Sequence, residues 1–239
     1  MYGGMYYPGF YFDPTYILIA IGALISMWAS ARVKSTFARY DRVQNMRGVT
    51  GAQAAEMILH NAGIFDVSIQ RISGNLTDHY DPSNKILRLS DSVYGKRSVA
   101  AIGVAAHECG HAIQHQQGYA PLQLRSMLVP ICNFGGTISW PLIILGVFLG
   151  WNQTLIRVGI LLFFAVVLFQ LVTLPVEFNA SSRALQILSS TGILHGEEND
   201  GAKKVLGAAA LTYVAGAAAS ILQMLRLIIL FGGRGRRND

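Results

Sequence analysis

The sequence predicts a mainly α integral membrane protein, in which an α+β domain with a small sheet is interrupted by a transmembrane hairpin. Three observations carry that expectation. Of the 239 residues, 52% are hydrophobic and 13% charged, and the mean hydropathy is +0.38, which is foreign to an ordinary soluble domain. Residues 16–31, 128–149 and 158–174 are uncharged apolar runs of the kind that cross a bilayer or anchor in it. Between the first and second runs, helix and strand patterns are separated by glycine, proline and asparagine, as in a folded domain.

Residues 1–15 form an extracytoplasmic lead in which YGGMYYPGFYF precedes Asp13, and its tyrosines suit the headgroup belt. Residues 16–31 are the transmembrane anchor. No basic segment precedes this run and no small-residue cleavage site closes it, so an anchor is expected rather than a removed signal peptide. Residues 32–127 form a cytoplasmic domain. Within it, residues 50–61 make a helix with Thr50 as cap, Gln53 closing a capping box and Gly63 beyond its end. Residues 67–72 and 85–89 make strands, either ordinary paired strands or an edge able to pair with an extended substrate backbone. The run TDHYDP at 77–82 makes a turn between them. Residues 98–117, SVAAIGVAAHECGHAIQHQQ, make a helix whose small apolar residues suit a buried position.

Residues 128–174 form the transmembrane hairpin, its two runs joined by GWNQTLIR at 150–157. The first run carries Asn133, Gly135, Gly136, Thr137, Ser139 and Pro141. Close helix packing through the glycines is the simpler account of these residues, and a substrate path the other. Eleven of the nineteen Lys and Arg lie in residues 32–127 and none lies before the anchor, so the domain faces the cytoplasm by the positive-inside rule. Arg157, in the outer link, points the other way but is outnumbered. Residues 175–204 then return to the cytoplasmic face. Residues 205–231 are a hydrophobic helix whose crossing stays open, because Lys203 and Lys204 precede it, Arg226 interrupts it, and the basic tail 232–239 follows. Thr212, Gly216, Ser220 and Gln223 share one face, so this helix could instead lie against the domain.

The chemistry resides in the run His107-Glu108-Cys109-Gly110-His111. Residues i and i+4 share a helix face, so His107 and His111 can direct ring nitrogens at one ion, and Glu108 beside them can act as general base toward a water on that ion. This is the zinc-hydrolase arrangement, and it makes the domain zincin-like. A buried helix bearing two histidines and a glutamate needs partners for them, which a metal supplies. The hairpin brings Glu177, just after Pro175, back to the same face, where it can complete a two-His, one-Glu site. The proline suits the first turn of a new helix segment. His115 competes as third ligand, but two turns of helix, about 12 Å, separate it from His107. Metzincin spacing would need glycine at Gln114 and histidine at Gln117. His79 or Tyr80 could donate to an oxyanion, or their turn could simply be stabilised by Asp side chains. Glu197, Glu198 and Asp200 belong to a solvated loop. Cys109 lies off the face of the two histidines and Cys132 lies in a span, so neither suggests a disulfide.

At these residues the chain resembles the YugP-type membrane zinc metallopeptidases of bacteria. The resemblance rests on GVTGA at 48–52, LTDHYDP at 76–82, LRLS at 87–90, Val93-Tyr94, SVAAIGVAAHECGH at 98–111, PVEFNASSRA at 175–184 and the closing helix at 209–227. It implies a membrane-bound zinc peptidase with His107, His111 and Glu177 as ligands and Glu108 as base. The chain is more distantly similar to the gluzincins, which pair HExxH with a downstream ExxxD. Ser181 stands where that aspartate would be, and a serine orients a ligand imidazole less firmly than a carboxylate does.

The expected function is that of a zinc-dependent endopeptidase of the bacterial cell membrane, multi-pass, with its active site on the cytoplasmic side. One catalytic Zn2+ is implied, and the mechanism is glutamate-assisted attack of zinc-bound water on peptide bonds of membrane proteins or membrane-proximal peptides. A non-proteolytic membrane scaffold that keeps zinc for stability is the alternative. The net charge of +6 suits the anionic headgroups of the lipid bilayer rather than nucleic acid, because the basic residues cluster beside a span.

Overall fold

An apolar run followed without a break by Arg32, Lys34 and Arg39 contains no helix breaker, and α1 (Tyr16–Tyr40) accordingly outlasts the expected anchor by about two and a half turns. The structure, a computed structural model, describes residues 13–232. The aromatic lead through residue 12 and the basic tail from residue 233 lie outside the described residues. Asp41, at the end of α1, accepts a hydrogen bond from Ser98 Oγ at 2.9 Å. Ser98 is itself the N-cap of α3 (Val99–Gln116), taking the Ala101 N–H at 3.2 Å. The stalk and the motif helix therefore share one joint.

The expected capping box forms on α2 (Gly51–Asn61): Gln53 N–H donates to Thr50 Oγ1 at 3.3 Å and Thr50 N–H to Gln53 Oε1 at 2.9 Å. Three strands follow, β1 (Ser68–Ile72), β2 (His79–Asp81) and β3 (Ile86–Ser90), in the order β1-β3-β2. β1 runs parallel to β3, with Ile69 opposite Leu87, and β2 runs antiparallel to it, with Tyr80 opposite Leu87. The stretch expected as a plain turn therefore contains a short edge strand. Its charges do not prevent pairing, because Asp78 folds back to accept from Ser90 N–H at 2.7 Å and Ser90 Oγ at 2.9 Å. α3 is the buried centre. Its alanines and glycines let α2, the sheet and the two last helices approach it together, and Ile58, Leu87, Leu89, Ile102, Leu188 and Leu194 around it are fully buried.

α4 (Ala120–Phe148) and α5 (Gln153–Ser190) form the hairpin. A Cβ at Gly159 would stand 2.8 Å from Ser139 O and 2.6 Å from an Ile143 side-chain carbon, and one at Gly135 would stand 3.0 Å from Leu162 O. The small residues of this hairpin thus serve close packing of two helices. Pro175 does not open a new segment. It lies inside α5, which runs unbroken for 38 residues, about 57 Å. Membrane helices tolerate an internal proline where neighbours hold the chain on both sides, and beyond it Val176, Glu177, Ala180 and Ala184 are locked into the core.

α6 (Glu197–Phe231) begins beside the domain built on α2, α3 and the sheet, where Met46 N–H donates to Glu198 Oε1 at 2.7 Å. It ends at the far end of the bundle. There Arg226 Nε donates to Thr15 Oγ1 at 3.2 Å, its guanidinium lies 3.6 Å from Asp13 and 4.5 Å from the Tyr16 ring centre, and Phe231 meets Trp151 of the hairpin link at 5.9 Å. The last helix thus packs against the domain through Ala202 and Leu206 and then runs on along the full length of the bundle, and its buried arginine is matched by groups at the start of α1. Among the described residues four helices, α1, α4, α5 and α6, are long and apolar enough to cross a membrane.

Candidate metal centre and active site

α3 and α5 cross where both are small, and this crossing builds the site. A Cβ at Gly110 would lie 2.6 Å from Ala180 O and 3.1 Å from Ala180 Cα, so the two backbones are as near as glycine allows. Around this contact, His107 three residues before Gly110 and His111 one residue after it meet Glu177, three residues before Ala180. Glu177 Oε2 stands 3.2 Å from His107 Nε2 and 3.6 Å from His111 Nε2. One ligand atom from each of the three residues falls within 4.8 Å of the others. Four ligands arranged tetrahedrally at about 2.0–2.1 Å from zinc stand about 3.3–3.4 Å apart, which the two distances from Glu177 match. The histidine side chains are 12% exposed and the glutamate 2%, which leaves access from one side only.

Each of these three residues is held by a further group. Ser181 Oγ lies 3.1 Å from His107 Nδ1, in the position where the sequence suggested a weaker orienting partner. His111 Nδ1 donates to Gln114 Oε1 at 3.0 Å, and Gln114 Nε2 in turn donates to Val176 O at 2.8 Å and Asn179 Oδ1 at 2.9 Å. Because Gln114 Oε1 can only accept, its contact puts a proton on His111 Nδ1 and turns Nε2 toward Glu177, while the Ser181 hydroxyl can donate to or accept from His107 Nδ1. Arg125 donates to Glu177 Oε1 at 3.1 Å, so the other carboxylate oxygen faces the imidazoles. Burial alone would pull the His111 imidazole down, but its hydrogen bond to Glu177 and the charges of Glu108 and Glu177 push it above its ordinary value.

Glu108 opens with His111, Glu177 and Arg125 onto a cavity of about 240 Å³. Asp78, His79 and Tyr80 form one wall, Leu122, Ser126 and Val129 of α4 another, and Tyr213 of α6 closes it. Tyr213 also interacts with the Glu177 carboxylate. His79 Nδ1 donates to Thr77 O at 2.9 Å, and Tyr80 hydrogen-bonds His115 Nδ1 at 2.9 Å. Burial, followed by the charges of Asp66 and Asp81, pushes the Tyr80 phenol up, so it remains a donor at neutral pH. His115 touches Tyr80 and is not part of the His107–His111–Glu177 group. Cys109 is fully buried with its thiol 3.6 Å from Ala55 O, and burial and then the Glu108 charge push that thiol well up, which makes it a packing residue.

Sequence reasoning missed Gln114, Arg125 and Tyr213. Gln114 lies three residues beyond His111 on one helix face, a spacing that could have marked it. Arg125 is a lone cation just ahead of an apolar run, a weaker signal. Nothing local marks Tyr213, which lies in a run of alanines.

A family model described as "putative neutral zinc metallopeptidase" matches residues 15–232. The chain is 49% identical over 217 residues to the "Putative membrane protease YugP" of Bacillus subtilis (strain 168), covering 90% of this chain and 96% of that protein. No solved structure matches the chain at a significant level.

Proposed function

Because this chain belongs to the neutral zinc metallopeptidase family, we propose that it is a membrane-embedded endopeptidase in which His107, His111 and Glu177 hold one zinc ion and Glu108 is the general base. The observation that carries this reading is the approach of Glu177 Oε2 to both imidazoles, at 3.2 and 3.6 Å, from a helix 70 residues further along the chain. When bound, zinc would supply Lewis acidity, acidifying water and polarising a peptide carbonyl. Glu108 takes the proton of the attacking water and passes it to the leaving amine. Tyr213 on one side and His79 and Tyr80 on the other line the cavity as the candidates to donate to the carbonyl oxygen as it gains charge, the latter two on exchanging their bonds to Thr77 O and His115 Nδ1. Arg125 keeps Glu177 turned toward the histidines.

The substrate is a peptide segment at the bilayer surface. In support, one wall of the cavity is α4 just where it enters its apolar stretch, and β2 is an edge strand beside α3 with an open side for an extended backbone. The active site faces the cytoplasm, a reading supported by the eleven Lys and Arg of residues 32–127.

Two variants test the assignment in detergent-purified protein. Glu177→Ala is expected to weaken zinc affinity by more than about 10²-fold, since loss of a ligand should exceed the 10–100-fold typical of a supporting residue; stoichiometric zinc at unchanged affinity would remove Glu177 from the ligand set. Tyr213→Phe is expected to keep zinc and KM while kcat for a peptide substrate falls about 10²-fold. An unchanged kcat would leave charge stabilisation to His79 and Tyr80.

A further inference from the structure

At the end of α1 and α6 nearest the catalytic domain, a second cavity of about 440 Å³ opens between the two helices. Arg32, Arg39 and Lys204 border it, with the hydroxyls of Ser35, Thr36 and Tyr40 between them. None of these three cations is paired with a carboxylate among the described residues; Arg39 lies 5.6 Å from the Tyr40 ring centre. No acidic side chain lines the cavity. Ser35 Oγ already donates to Arg32 O at 3.1 Å, so three unpaired cations around one cavity, with the hydroxyls of Thr36 and Tyr40 beside them, form the receptor for phosphate oxygens.

The depth of the cavity identifies the source of that phosphate. Arg32 is the first charge after the apolar run of α1 and Lys204 the last before that of α6. Both border one cavity. Since α1 and α6 pair antiparallel, with Gly22 against Ala219 and Tyr40 against Gly201, Arg32 and Lys204 stand about 7–8 Å apart in depth. The cavity therefore spans the band in which the apolar parts of the two helices end, which is that of the membrane interface. Beside Arg32 and beyond Lys204 the lining changes to Gly207, Ala208 and Leu211, with Leu211 about 10 Å farther along the helix than Lys204. We propose that this cleft between α1 and α6 binds the headgroup phosphate of an anionic phospholipid, with an acyl chain descending past Leu211. A free phosphate would use the cations alone and would have no need of the apolar floor.

Gly207 supplies a test that leaves the charges in place, because a Cβ there meets nothing within 4 Å and a larger side chain would project into the cleft without displacing protein. The full chain, purified in detergent, is given phosphatidylglycerol, phosphatidylcholine or inorganic phosphate, and bound molecules are counted by native mass spectrometry. Phosphatidylglycerol should be retained and phosphatidylcholine should not. Both the R32Q/K204Q double variant and Gly207→Leu should bind phosphatidylglycerol about tenfold or more weakly, with an unfolding midpoint in lipid-free detergent equal to that of the parent. Equal retention of phosphatidylcholine, or parental retention by both variants, would overturn the proposal. So would inorganic phosphate displacing the lipid at comparable concentration, which would identify a simple anion site. The measurement counts lipid, so its outcome is independent of whether the protein cleaves peptides.

Discussion

Glu108→Gln is expected to lower kcat/KM for a cleavable peptide about 10³-fold, the middle of the range for a general base, equivalent to about 4 kcal/mol of barrier. Glutamine has nearly the same shape, so the buried side chain keeps its place beside His107 and His111 and only its ability to take a proton is lost. Zinc content should stay at the parental level, because Glu108 is not one of the three residues whose ligand atoms converge. That combination, metal kept and cleavage lost, separates the enzyme from a zinc-stabilised scaffold. If the variant lost activity together with its zinc, the effect would be structural. If it served the cell as well as the parent while failing to cleave, the protein's role would not be proteolysis.

Gly110→Val should be the most damaging change that touches no ligand. The added Cβ would meet the carbonyl oxygen of Ala180 at 2.6 Å and its Cα at 3.1 Å, and backbone atoms cannot swing aside as a side chain end can. α3 and α5 must separate, and the histidines and Glu177 sit on opposite sides of that seam. Overpacking of this kind costs about 1–3 kcal/mol of stability, and an ångström of misplacement at a reacting centre costs about 10²-fold in rate. We expect zinc affinity, measured by competition with a chelator, to fall at least about tenfold together with the unfolding midpoint. Gly110→Ala should give a smaller loss in the same direction. Parental zinc affinity in the valine variant would show that the crossing distance does not hold the ligands in register.

Much of this site is legible in the residues themselves because its signals are local. The i, i+4 spacing of His107 and His111 puts both on one face of any helix, and Thr50 with Gln53 closes a capping box whatever lies around it. The apolar runs mark the hairpin because lipid demands length and lack of charge. Other features depend on neighbours. Pro175 looked like the start of a helix and lies inside one, since the core contacts of Val176 and Glu177 outweigh the lost backbone bond. Residues 79–81 looked like a turn and pair as a strand, since Asp78 and Ser90 satisfy each other across the sheet. The basic ends of α6 left its direction open until Arg226 was found beside Asp13 and Thr15.

By itself the sequence determined the helix with His107 and His111 on one face, Glu108 next to them, the apolar spans and the acidic residue returning after the hairpin, because each follows from periodicity or from the cost of charge in lipid. Only the tertiary structure decided which groups hold those residues in place. Ser181, Gln114, Arg125 and Tyr213 come from four different helices and become neighbours through the close crossing at Gly110 and the full-length run of α6. Contacts between distant segments arise from how surfaces pack, and no spacing along the chain encodes them.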